Sequence, residues 1–249
     1  MITSANHIRF SVIIPAFNEE RYLPRLLDSI EKAKSNYSGG AEAIEVIVAN
    51  NDSTDRTAEI AATRGARVVR VEKRRIAAAR NGGGHAALGE IVCFIDADSA
   101  MHPQTFDTVN RAIESGHYVG GSTGLTLERK SLGLLVTYCL AAPIAVITRM
   151  DSGVVFCRRE DFEAVGGYDE SRLYAEDLLF LMALRRLGGK RGQSLTRLGS
   201  IKALGCTRKF DQFGDWHYFW MLGHAIKSLV TGNWHDERLA DRYWYKSGR

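Results

Sequence analysis

Residues 90–99 read EIVCFIDADS, an apolar run closed by two aspartates that flank one alanine. In an extended chain alternate side chains leave on the same face, so Asp96 and Asp98 converge. Two converging carboxylates repel, and desolvating either is costly, unless a positive charge lies between them. Their hard oxygens suit Mn²⁺ or Mg²⁺, ions that keep some water and take further ligands from phosphate groups. Taken alone, the pair reads equally as solvated loop acids or a helix cap. Its place at the end of a strand favours the metal.

A second acid pair, Glu176 and Asp177, opens the apolar stretch AEDLLFLMALRRLGG. At the start of a helix the backbone dipole favours ionised carboxylates, so the pair is either a cap or a source of reactive carboxylate. The stretch GGGHAA at 82–87 loosely fits a dinucleotide-binding glycine pattern, but it precedes a strand, whereas that fingerprint must follow one. Those glycines are expected to let a helix pack close to a sheet.

The elements that carry these residues follow from the alternation of patterns. RFSVIIPAF, IEVIVA, ARVVRV and EIVCFID read as buried strands. Between them lie three helical stretches. The first is N-capped at Asn18, with Tyr22, Leu23, Leu26, Leu27 and Ile30 on one face; the second covers roughly 54–63 and is closed by Gly65; the third is the alanine-rich RRIAAARNGGGHAALG. This spacing predicts right-handed crossovers and a parallel sheet, with ligands gathering at the strands' carboxyl ends. PAFNEE, NNDSTD and DADS lie at those ends. Ser53 and Thr54 read as strand end and helix cap, while Asn50 and Asp52 suit ligand contact and turn stabilisation equally. Further strands are expected over 117–127 and 152–157.

The 249 residues, 45% hydrophobic and 25% charged, suit one continuous globular domain with two functional halves. The working division is 1–121, 122–209 and an aromatic, basic segment 210–249. A net charge of +4 suits an anionic ligand or surface and is too small to argue for nucleic acid. Cys93, Cys139, Cys157 and Cys206 are scattered among apolar neighbours and read as reduced core thiols of a cytoplasmic protein. The N-terminus shows no signal-peptide pattern. The uncharged run 132–148 falls short of about 20 residues and contains Pro143. A crossing there would also put Asp98 and Asp177 on opposite sides of a bilayer. A buried or interfacial helix is therefore expected, with re-entry the remaining option; the aromatic, basic tail could lie against an anionic surface as a peripheral contact at the inner membrane face.

VIIPAFNEERYLPRLLDSI, VIVANNDSTDRTAEIA, AARNGGGHAALGEIVCFIDADS, GGYDE and AEDLLFLMALRRLG occur in an order that resembles the family 2 glycosyltransferases. The resemblance covers about residues 10–190. It implies an inverting enzyme of the GT-A fold, a Rossmann-like α/β sandwich with a mostly parallel central sheet. It also implies nucleotide contacts from Pro15, Ala16, Asn18, Glu19, Asp52, Arg80, Asn81, Asp96 and Ala97. Asn50 stands where the family usually has an aspartate that reads the base. This leaves the base, usually uracil, less fixed, because Asn donates as well as accepts. Asp98 and Asp96 match the metal motif for Mn²⁺ or Mg²⁺, with Asp98 the more direct ligand. His217 is the candidate third ligand, Arg208 and Lys209 candidates to close over a pyrophosphate, Asp177 the catalytic base and Glu176 the fallback. The implied donor is a nucleotide-sugar, a UDP-sugar ahead of a GDP-sugar. The acceptor is a glycan, lipid or small molecule. The rivals are a nucleotidyltransferase that forms a sugar nucleotide, against which the acidic PAFNEE counts, and a non-catalytic relative that only binds one.

Overall fold

The structure, a computed structural model, describes residues 7–129, 131–172 and 176–216. Its elements run in the order β1 (Phe10–Ala16), α1 (Leu23–Ser35), β2 (Ile44–Asn50), α2 (Thr57–Thr63), β3 (Arg67–Arg70), α3 (Ile76–Ala86) and β4 (Ile91–Phe94). There follow α4 (Thr105–Glu114), β5 (Tyr118–Ser122), β6 (Leu125–Leu127), α5 (Leu132–Thr148), β7 (Val155–Arg158), α6 (Arg159–Ala164), α7 (Glu176–Gly189), β8 (Ser194–Arg197), β9 (Ala203–Gly205) and α8 (Arg208–Phe213).

Seven strands form one sheet in the order β3-β2-β1-β4-β7-β5-β8, and β6 pairs with β9 in a small ribbon. The sheet is parallel except at β7, which runs antiparallel to both β4 and β5. This is the mostly parallel α/β sandwich expected from the alternation in the first half. Both faces are covered, as parallel sheets require, and side-chain alternation feeds two cores. Val12, Ile14, Val46 and Val48 pack with α1 residues Leu23, Leu26, Leu27 and Ile30. Ile13, Ile47, Val92 and Phe94 pack on the other face with Ala77, Phe162, Phe180 and Leu184 of α3, α6 and α7.

Helix α1 begins at Leu23 rather than at Asn18, which adopts a left-handed φ of 53° and ends the strand in a turn. Pro24 instead sits in the first turn of α1, where its missing N–H costs nothing. Helix α2 likewise starts later than the sequence suggests, because Asp55 Oδ1 accepts the Thr57 amide at 2.9 Å. Cys93 and Cys157 are core thiols, but Cys139 is exposed and Cys206 half-buried, so two of the four depart from the expected burial. Apolar neighbours put Cys139 on an apolar helix without saying which face is covered. Among the described residues no helix is long and apolar enough to cross a membrane.

Candidate active site at the carboxyl ends of the strands

Three loops meet where β1, β2 and β4 end. Pro15 and Ala16 finish β1 and are buried. Asn18 links the first two loops: its amide donates to Ser53 Oγ at 3.0 Å, and its Oδ1 accepts the Thr54 amide at 2.8 Å. Asn50 Oδ1 accepts the Ser53 amide at 3.1 Å, closing the turn after β2. Asp52, at φ 61°, lies 3.0 Å from the Arg74 guanidinium. Asn50 therefore has a turn-forming partner within the chain and Asp52 an ion-pair partner.

The densest charge lies around Arg80. This side chain on α3 is buried, with 3% of its surface exposed. Its Nη2 donates to Asp96 Oδ1 at 2.9 Å and its Nη1 to Glu176 Oε1 at 2.7 Å, with Asp177 Oδ1 3.1 Å from Nη1. The sequence placed Arg80 near the nucleotide; the structure uses it to bring together acids from the end of β4 and the start of α7. Burial alone would lower the guanidinium's pKa, but Asp177, Asp96 and Glu176 outweigh it and hold the group well above its ordinary range. The ring of Tyr168 lies 5.2 Å from the Arg80 carbon and stacks on Phe180 at 4.3 Å.

Asp177 differs from its neighbour Glu176. Glu176 is buried and bonded to Arg80. The Asp177 side chain keeps 30% of its surface open, while its Oδ1 is sealed from water. Burial pushes its carboxyl up to about 7; Arg80 opposes the shift, and Glu176 and Asp96 add to it. A carboxyl that ionises near neutrality and remains reachable can accept a proton.

Asn81, next to Arg80, clamps the GGYDE turn. Its Nδ2 donates to the Tyr168 carbonyl at 2.9 Å and to Glu170 Oε1 at 3.0 Å, and its Oδ1 accepts the Tyr168 amide at 2.7 Å. Gly167 in this turn has φ 69°, and a Cβ there would meet Asn81 Oδ1 at 2.5 Å, so glycine is required on both counts. Nothing in the spacing of Asn81, Tyr168 and Glu170 announces this clamp; GGYDE signals only a turn. Asn81→Ala is expected to cost about 1–3 kcal/mol in urea denaturation, because it strands a buried amide and carbonyl. A change under about 0.5 kcal/mol would show that the turn holds without it.

On the other side, Arg208 of α8 forms two parallel bonds to buried Glu19, Nη1 to Oε2 at 2.9 Å and Nη2 to Oε1 at 2.7 Å. Its Nη2 also lies 3.0 Å from Asp98 Oδ2, and its guanidinium carbon 4.8 Å from the Tyr22 ring centroid. The two acids of DADS are thus each paired with an arginine, Asp96 with Arg80 and Asp98 with Arg208. Ala97 between them is buried. A cavity of about 620 Å³ opens beside Arg208, lined by Asn18, Tyr22, Thr54 and Gln212 among others.

Asp96 and Asp98 fit a divalent ion that takes its remaining ligands from water and phosphate, since the Asp96 side chain is 48% exposed and both present carboxylate oxygens. They do not fit an ion caged by protein alone: among the described residues no group of three His, Cys, Asp or Glu side chains is arranged to hold one. His217, the candidate third ligand, lies outside the described residues, as does the chain from 217 to 249.

Comparison with known proteins matches residues 11–128 to the family model "Glycosyl transferase family 2". The 4,4'-diaponeurosporenoate glycosyltransferase of Staphylococcus haemolyticus is 49% identical over 61 residues, a match spanning 24% of this chain and 14% of that protein. Among solved structures, S. aureus TarS aligns over 81% of this chain and 61% of its own, with a TM-score of 0.60 and 21% identity. The mannosyltransferase PcManGT of Pyrobaculum calidifontis, in complex with GDP-Man and Mn²⁺, aligns over 80% of this chain and 56% of its own, with a TM-score of 0.61 and 18% identity. The chain therefore spans less than two thirds of each of these proteins. Residues 11–128 thus match glycosyl transferase family 2, and the sheet and helices form the GT-A fold.

Proposed function

We propose that the chain is a metal-dependent, inverting glycosyltransferase that moves a sugar from a nucleoside diphosphate to an acceptor hydroxyl. The observation that carries this reading is the convergence of Asp96, at the end of β4, with Glu176 and Asp177, at the start of α7, on one buried guanidinium. Asp96 and Asp98 would hold Mn²⁺ or Mg²⁺ against the diphosphate. Bound there, the ion offsets the negative charge that grows on the leaving group. Asp177 takes the proton of the attacking hydroxyl. Attack from the face opposite the leaving phosphate, in one displacement, inverts the anomeric centre. Glu176 is committed to Arg80 as its buried counter-ion and is the weaker candidate for the base. Arg80 holds both acids of α7 in fixed relation to Asp96.

The donor class is supported by the ligands of the structural neighbours: TarS has been crystallised with UDP-GlcNAc and PcManGT with GDP-Man and Mn²⁺. A UDP-sugar is the first choice and a GDP-sugar the alternative; the acceptor is the hydroxyl of a glycan, lipid or small molecule. Thermal shift tests the donor and the metal together. At about 100 times its Kd, a nucleotide stabilises the native state by about 2.7 kcal/mol. For a chain of this size that raises Tm by about 5–10 °C. UDP with Mn²⁺ is expected to reach that range, with UDP alone well below it. A larger shift with GDP reassigns the donor, and no shift with either nucleotide removes the reading.

A further inference from the structure

Helix α5 is 17 residues long and carries no charge, and it exposes large aliphatic side chains. Leu132 is 71% exposed, Leu135 58%, Val146 57% and Ile147 82%. Cys139 and Pro143 are exposed as well. At about 100° per residue, Leu132, Leu135, Cys139, Pro143 and Val146 fall within one stripe about 80° wide and about 21 Å long, with Ile147 at its edge. Leu134, on another face, is buried against the domain. The first turn of α5 is thus held to the domain by Leu134, and the exposed residues form a continuous apolar strip. At its N-terminal end an apolar cavity of about 630 Å³ is lined by Leu127, Leu132, Leu134 and Leu135, with Arg129 and Lys202 also contributing.

The charges at the two ends of the helix indicate what covers this strip. Arg129 and Lys130 precede it in sequence and Arg149 follows it. The acids nearest the ends are neutralised: Glu128 by Arg25, Asp151 by Arg197 at 2.7 Å, and Asp215 by Arg129 at 2.6 Å. Arg149 donates to Ser194 Oγ at 3.0 Å and to the Leu195 carbonyl at 3.2 Å, and has no carboxylate partner among the described residues. Arg129 is itself paired with Asp215 and Asp211, so the exposed cation beside the strip is Arg149 at its C-terminal end; an apolar strip with compensated acids and this cation complements an anionic lipid surface. A second copy fits less well. A stripe about 21 Å long and about 10 Å wide covers on the order of 200 Å² per copy, against about 800 Å² per partner in a stable interface. Crossing the bilayer is disfavoured by length, since α5 has 17 residues where a span takes about 20.

We infer that α5 lies flat in the headgroup region of an anionic bilayer and docks the domain there through Leu132, Leu135, Val146 and Ile147, with Arg149 facing the lipid phosphates. This docking requires neither donor nor metal, so it stands or falls apart from the glycosyl-transfer reading. It is tested by co-sedimentation of the full chain with vesicles of phosphatidylcholine, alone or with about 30% phosphatidylglycerol. The expected result is partitioning onto the mixed vesicles and little onto phosphatidylcholine alone. The double variant Leu135→Ser/Ile147→Ser lowers the partition coefficient by about tenfold or more, with Tm unchanged because both side chains are at the surface. Arg149→Ser lowers the preference for phosphatidylglycerol by about fivefold. Absence of partitioning overturns the inference. So does unchanged partitioning of the double variant, which would move the contact elsewhere on the chain. A dimer in light scattering that the double variant converts to a monomer assigns the strip to a second copy and overturns it as well.

Discussion

Asp177→Asn lowers kcat for glycosyl transfer by about 10²–10⁴-fold and leaves the affinity for UDP with Mn²⁺ within about threefold. Asparagine keeps the shape of the side chain and cannot take a proton. Above pH 7 the variant should also be no less stable than the parent, because a neutral amide replaces a carboxyl that burial already holds up at about 7. Glu176→Gln separates the two acids. It removes charge from the shell of Arg80, so it lowers Tm and leaves turnover measurable. If Asp177→Asn retains full turnover and Glu176→Gln does not, the roles are reversed. If both turn over normally, neither is the base.

The same carboxyl sets an expectation for pH. As a base it must be ionised, so kcat/KM should climb about tenfold per pH unit at low pH and flatten near 7. Its effect on stability runs the other way. The native carboxyl holds its proton to a higher pH than the unfolded one, so between about 4 and about 7 the folded state binds more protons. The contribution of Asp177 to stability is therefore present below that window and is lost as pH rises through it.

The largest effect on folding is expected at Arg80. Arg80→Met keeps length and apolar bulk but leaves Asp96, Glu176 and Asp177 without their shared cation. Breaking a buried pair by removing one partner costs about 3–5 kcal/mol. In a chain of this size that lowers Tm by about 6–20 °C. The deficit should shrink on acidification, because the stranded carboxylates are then protonated and cease to repel. Urea denaturation at about pH 5 and about pH 8 checks this. A deficit below about 1 kcal/mol, or one independent of pH, would mean that the three acids find other partners. Arg80→Lys should fall in between, since an ammonium keeps the charge and loses the fork that reaches acids on two elements.

Much of this was legible from local pattern. Alternating strands and helices in the first half gave the parallel sheet, because β-branched runs and apolar periodicity are local properties. Asp96, Asp98, Glu176 and Asp177 stood out because acids at the ends of apolar segments are conspicuous. The antiparallel insertion of β7 between β4 and β5 left no trace, since VFCR would read the same in either direction. Arg80 reads from sequence as lying near the nucleotide, with no protein partner named. Its bonds reach acids 16 and 96 residues away, which no window reports. Asn18 gave a helix-cap signal that a left-handed turn overrode. Arg208 was noted for its charge, but its pairing with Glu19 spans 189 residues.

The glycines of α3 show how a charge cluster can depend on side chains that do not exist. Gly83 and Gly84 share the helix face of Arg80, three and four residues on. A methyl group at Gly83 would meet Ile13 Cγ2 at 2.4 Å, and one at Gly84 would meet Phe162 Cζ at 2.5 Å. The missing carbons fix the standoff between helix and sheet, and that standoff sets how far the guanidinium extends. An alanine at either position would wedge the helix outward and draw the arginine back from Asp96, so the spacing of this electrostatic hub is calibrated by bare backbone about one helical turn away.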